Sequence, residues 1–100
     1  MKENHVVNID DDTINKVGLR LSEKPINADI AIESRVFEYP NLENVFIMES
    51  DLYGNAMPKD SCFLAFKGHH GLIGKHLSVQ ALKYASAEDI KNMVQHNNEG

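Results

Sequence analysis

The run from Ala28 to Tyr39 sets Ile30, Ile32 and Val36 against Asp29, Ala31, Glu33 and Arg35, the two-residue period of a strand with one buried face. Pro40-Asn41-Leu42-Glu43-Asn44 follows as a turn, and Val45-Phe46-Ile47-Met48 is a cluster of strand formers. The two runs predict an antiparallel hairpin whose loop spans Tyr39 to Asn44. A polar connection from Ser50 to Ser61, with Gly54-Asn55 and Pro58 as turn promoters, leads to a third, buried strand over Cys62 to Phe66. His5 to Ile9 is a further short strand candidate.

Helices are expected at both ends. Asp10-Asp11-Asp12 supplies N-cap candidates and negative charge for the positive end of a helix dipole. From Thr13 to Leu21 the apolar residues Ile14, Val17 and Leu21 share one face, although Gly18 weakens such a helix by about 1 kcal/mol relative to Ala. Near the other end Ser86 reads as an N-cap followed by Glu88 and Asp89, with Ile90, Met93 and Val94 as the apolar stripe. Residues 97–100 read as a frayed tail. Lys75 to Ala85 fits strand and helix periods equally, and Gly68 to Gly74 is too glycine-rich for a regular element. The sum is an α+β chain: residues 1–100 as a single globular domain, small and two-layered, with three to four mostly antiparallel strands packed by two helices.

Composition agrees with a chain that folds by itself, since apolar residues make up 42% and charged residues 25% of it. Cys62 is the sole cysteine, which excludes an internal disulfide and a multi-cysteine metal site and suits a reducing compartment. Only five weakly apolar residues follow His5, too few for a signal-peptide core, and no apolar stretch approaches the roughly 20 residues that cross a bilayer. The expected location is the cytoplasm, with no membrane partner.

The net charge of −5 opposes general affinity for nucleic acid, which depends on neutralising phosphates with Lys and Arg. That charge is unevenly spread. Residues 1–60 hold twelve acids and six bases, whereas residues 61–100 hold three acids, four bases and four of the five histidines. From Lys67 to Ala87 there is no acid at all, but there are Lys67, His69, His70, Lys75, His76 and Lys83 among glycines 68, 71 and 74.

Glycines beside lysines can cradle an anion on backbone N–H groups. A phosphate-binding P-loop is nevertheless excluded, because five residues separate Gly68 from Gly74 where that motif has four, and His76 stands where it needs Ser or Thr. Gly68-His69-His70-Gly71 and Gly71-Leu72-Ile73-Gly74 superficially suggest the loop of an RNA-binding KH domain, but neither follows the helix that such a loop requires. His69, His70 and His76 are imidazoles of the kind that bind zinc, copper or nickel, but adjacent histidines on a strand point to opposite faces, so a solvated polar loop is the preferred reading and no metal is expected. Cys62, between apolar neighbours, reads as a small core residue rather than a nucleophile. The acids Glu33, Glu38, Glu43, Glu49 and Asp51 read as the solvated side of strands and turns. Asp10-Asp11-Asp12 lacks the alternating acids and central glycine of a calcium loop.

With no catalytic signature and no cofactor implied, the chain is expected to act as a small acidic, non-enzymatic protein-binding module of the inhibitor, immunity or adaptor type, meeting a partner with a basic surface. Tyr53, Met57, His69, His70, Lys75 and His76 are the candidate partner-binding residues. The alternatives are a small metal- or histidine-dependent enzyme built on His69, His70 and His76, and an anion or nucleic-acid binder built on Lys67, Lys75 and Lys83.

Overall fold

The polypeptide from Asp10 onward begins with a helix, α1 (Asp11–Val17), because Asp10 in extended backbone accepts a 3.0 Å hydrogen bond from the Thr13 N–H and a 2.6 Å one from its hydroxyl. A computed structural model provides the coordinates, and it describes residues 8–23, 34–68 and 71–99. The helix stops four residues short of the expected Leu21. Gly18, with φ 84°, takes the left-handed conformation and donates its N–H to the Ile14 carbonyl at 2.9 Å, so this glycine ends the helix rather than weakening its interior.

Five antiparallel strands follow, β1 (Arg20–Leu21), β2 (Val36–Glu38), β3 (Val45–Met48), β4 (Ser61–Gly68) and β5 (Gly71–Ser78), and they lie in the sheet in chain order. The predicted hairpin is β2 paired with β3, in the register Phe37 opposite Ile47. Of the long strand expected from Ala28, only Val36–Glu38 is strand among the described residues; positions 28–33 lie outside them, as do His5 to Val7 of the other candidate. Gly71 to Gly74, expected to be irregular, belongs instead to β5, with Gly74 opposite Ala65. A Cβ at Gly74 would overlap the ring of Phe63, so the missing side chain is what lets an aromatic ring lie flat against the strand.

The ambiguous segment from Lys75 to Ala85 is both things in turn. It runs as strand to Ser78, whose hydroxyl accepts the Ala81 N–H at 3.0 Å and caps α2 (Val79–Tyr84). α3 (Ala87–Glu99) opens with a reciprocal cap, in which the Ser86 hydroxyl accepts from the Asp89 N–H and the Asp89 carboxylate accepts from the Ser86 N–H, both at 3.1 Å. The architecture is thus the expected two-layer α+β domain, with five strands and three helices among the described residues where three to four strands and two helices are expected.

Alternation of side chains gives the sheet two faces. On one, Phe37, Val45, Ile47, Cys62, Leu64, Phe66 and Leu77 form the main core with Ile9, Leu19, Leu82 and Ile90 from the helical layer. Each fully buried aliphatic side chain here contributes roughly 1.5–3 kcal/mol. The other face carries Met48, Phe63 and Ala65, partly flanked by Val36 and Phe46, and the chain after β3 folds back so that Met57 and Leu52 close over it. No helix among the described residues is long and apolar enough to cross a membrane.

Candidate functional site

Three places gather polar chemistry. The most buried is the far end of the β2–β3 hairpin, where Arg35 and Glu49 stand opposite one another just beyond the paired strands. Glu49 is 2% exposed and receives four hydrogen bonds: Arg35 Nε to Oε1 at 2.8 Å, Arg35 Nη2 to Oε2 at 3.0 Å, and the backbone N–H groups of Asn8 and Ile9 to Oε2 at 2.8 and 2.9 Å. Arg35 Nη2 also donates to the Ile9 carbonyl at 2.9 Å, and the Asn8 amide donates to the carbonyls of Pro58 and Ser61 at 3.0 and 2.8 Å. Burial alone would push the Glu49 carboxyl up, but the Arg35 guanidinium and the two N–H groups together hold it below its ordinary value. A carboxylate so fully occupied is a structural latch joining residues 8–9 to the sheet, and it corrects the expectation that Glu49 solvates an exposed face.

The second place is the turn after β3. Asp51 Oδ1 accepts from the N–H groups of Tyr53 and Asn55 at 2.8 and 2.9 Å, Oδ2 accepts from the Asn55 amide at 3.2 Å, and the backbone N–H of Asp51 donates to the Asn55 carbonyl at 2.9 Å. A bridge between Ser50 and Ala56 closes the turn behind them. Desolvation works against the charged form, yet the Asn55 and Tyr53 N–H groups and the Asn55 amide, with nearby His76 adding to them, together hold the Asp51 carboxyl below its ordinary value. At the tip Tyr53 projects 75% exposed. Met57 does not join it: at 4% exposure it is packed under the second sheet face, so it supports the turn and presents no surface.

The third place is β5. His76 lies opposite Phe63, their rings edge to face at 5.6 Å, on the same side of the sheet as the Tyr53 turn. Lys75, its neighbour in sequence, points to the opposite side, opposite Leu64. The lysines of the anion-binding reading are likewise dispersed. Lys67 shares the face of His76, Lys75 the other, and Lys83 lies on α2 with its ammonium 6.0 Å from the Tyr84 ring, which Lys16 of α1 also approaches at 5.8 Å. His69 and His70 lie outside the described residues. Among those described, no three His, Cys, Asp or Glu side chains converge as a metal would require.

Cys62 is fully buried in the main core, and burial, with the charge of Glu49 adding to it, pushes its thiol up to about 12. It is a core residue with a negligible thiolate fraction at neutral pH. An open groove of about 750 Å³ runs between Gly18, Arg20, Glu38 and the Pro40–Asn44 loop, with Arg20 and Glu38 already paired at 3.1 Å across its wall. No family model matches this chain, and no curated protein or solved structure matches it either.

Proposed function

We propose that this protein is a small, non-enzymatic protein-binding module of the inhibitor, immunity or adaptor type, with Tyr53 as its anchor. The observation that carries this reading is a large aromatic side chain, 75% exposed, on a turn that a single carboxylate pins through three hydrogen bonds. Aromatic side chains supply much of the energy at protein interfaces. A turn already held in one conformation loses little further freedom on binding, which favours affinity. His76, beside that turn, extends the surface with a polar contact. The net charge of −5 suits a partner with a basic surface and makes the encounter faster at low salt.

The test compares untagged wild type and Tyr53→Ala as immobilised baits in extract of the source cells. One partner retained in stoichiometric amount by wild type, and at least about tenfold less by the variant, supports the anchor. Equal retention by both removes Tyr53 from the interface, and no specific partner for either removes the binding-module reading.

A further inference from the structure

The phase of the β4–β5 ladder determines which backbone groups of β5 face outward. The Val79 N–H donates to the Asp60 carbonyl at 2.9 Å and the Lys67 N–H donates to the Asn44 carbonyl at 3.2 Å. In an antiparallel pair hydrogen-bonded and non-bonded positions alternate. With the observed register, Leu77, Lys75 and Ile73 therefore exchange hydrogen bonds with Cys62, Leu64 and Phe66, whereas Leu72, Gly74 and His76 direct their N–H and C=O groups away from β4. β5 is the last strand of the sheet, eight residues long, and among the described residues none hydrogen-bonds this outer row. β1, the opposite edge, is only two residues long.

We propose that the outer edge of β5, which no described residue hydrogen-bonds, receives an extended segment of a partner protein as an added strand, the segment itself acidic although the rest of the partner's surface is basic. This deepens the binding-module reading and rests on it. Main-chain pairing to an exposed edge gives affinity, and alternate side chains give selectivity. Here the selectivity is set by charge. Lys75 and His76 flank the edge on its two faces, both exposed, in a stretch from Lys67 to Ala87 that contains no acid. The charged Asp51 carboxylate lies near His76 on that face, so the cation that selects an acidic segment is Lys75 on the other. At ordinary ionic strength charges beyond about 8–10 Å are screened, so at this edge Lys75 is felt more strongly than the distant acids of the chain. The same lysine disfavours a second copy as the occupant. A two-fold pairing of β5 with itself brings two Lys75 side chains to one face of the joined sheet with no acid of β5 between them, and like charges so placed repel.

The probes are two synthetic peptides of about nine residues, a common strand length, one alternating Glu with Val and the other Lys with Val. Titration followed by NMR, with amide exchange measured in the complex, is expected to show saturable binding of the Glu peptide. The Lys peptide should bind at least about tenfold more weakly, a difference of 1.4 kcal/mol. Exchange at Leu72, Gly74 and His76 should slow at least as much, and Lys75→Glu should reverse the preference. His76→Pro removes an outward donor without touching the β4 ladder, so it should abolish binding that His76→Ala retains; if the proline variant does not fold, the exchange pattern of wild type still decides. Binding without protection at those three amides, equal binding of both peptides, or protection accompanied by dimerisation in the absence of peptide would overturn the proposal. If the partner captured from the extract is retained by His76→Pro and lost by Tyr53→Ala, strand addition fails while the binding-module reading stands. If wild type retains no partner, the binding-module reading fails, and the peptides decide the edge independently.

Discussion

Arg35 meets Glu49 with two parallel hydrogen bonds, 2.8 Å from Nε and 3.0 Å from Nη2, and only the arginine reaches solvent: its side chain is 34% exposed against 2% for the glutamate. The asymmetry makes the two partners unequal. Arg35→Ala strands a buried carboxylate and should destabilise the fold by about 3–5 kcal/mol at neutral pH. Glu49→Gln keeps the shape and an acceptor for the Asn8 and Ile9 N–H groups and should cost about 1–3 kcal/mol. Urea unfolding of the two variants at pH 7 checks the order, and a smaller loss for Arg35→Ala contradicts the latch.

The same carboxylate ties stability to pH. Glu49 is held below its ordinary value of 4.5, as Asp51 and Asp10 are held below theirs of 3.8, so the folded state binds fewer protons than the unfolded one in acid. Their contribution is complete above the ordinary carboxylate values and is lost as pH falls through the depressed folded ones. Denaturation midpoints between pH 7 and pH 3 should be level at the upper end and fall steadily below about pH 5, with a shallower fall in Glu49→Gln. A midpoint that rises on acidification contradicts this sign.

Tyr53 and Met57 were alike in sequence, two large side chains in one polar connection, and the fold separates them. Tyr53→Ala should leave the melting temperature nearly unchanged, within about 0.5 kcal/mol. Met57→Ala opens a space beneath Phe63 and Ala65 and should cost about 2–5 kcal/mol. Calorimetry of both variants decides; a destabilising Tyr53→Ala would show the ring to be part of the core.

Gly74 and Phe63 are coupled by exclusion, since the ring occupies the volume a methyl group would need. Gly74→Ala should destabilise by about 1–3 kcal/mol. In Phe63→Leu, where the ring is gone, the same substitution should cost less, and a double-mutant cycle measures the difference. Strict additivity would mean that the ring moves aside freely.

Where local chemistry decided the outcome, the sequence was readable. Ser86 and Asp89 cap α3 as their spacing suggests, and Val45–Met48 is strand from end to end. Gly18 is legible as a glycine but not as a helix stop, because intrinsic propensity treats glycine as a weak helix member and says nothing of its aptitude for the terminating left-handed residue. Lys75 to Ala85 held two periods because it holds two elements, and the capping hydroxyl of Ser78 marks their junction. What stayed hidden depends on partners far away in sequence. No local pattern reveals that Gly74 underlies Phe63, or that Glu49 receives the N–H groups of residues some 40 positions earlier. The Tyr53 turn was legible from Asp51 and Gly54-Asn55; the burial of Met57 beside it was not, since it follows from the chain turning back under the sheet.

A sheet whose strands neighbour one another in chain order is built from contacts between consecutive segments, and such contacts come early and fast. The strap of Asn8 and Ile9 is different, reaching partners 40 to 53 residues away. It can lock only after β3 and the turn behind it exist. This strap is therefore among the last parts to find its place, and Asn8→Ala should speed unfolding while leaving the refolding rate almost untouched. Stopped-flow kinetics that placed its effect on refolding would reverse that order of events.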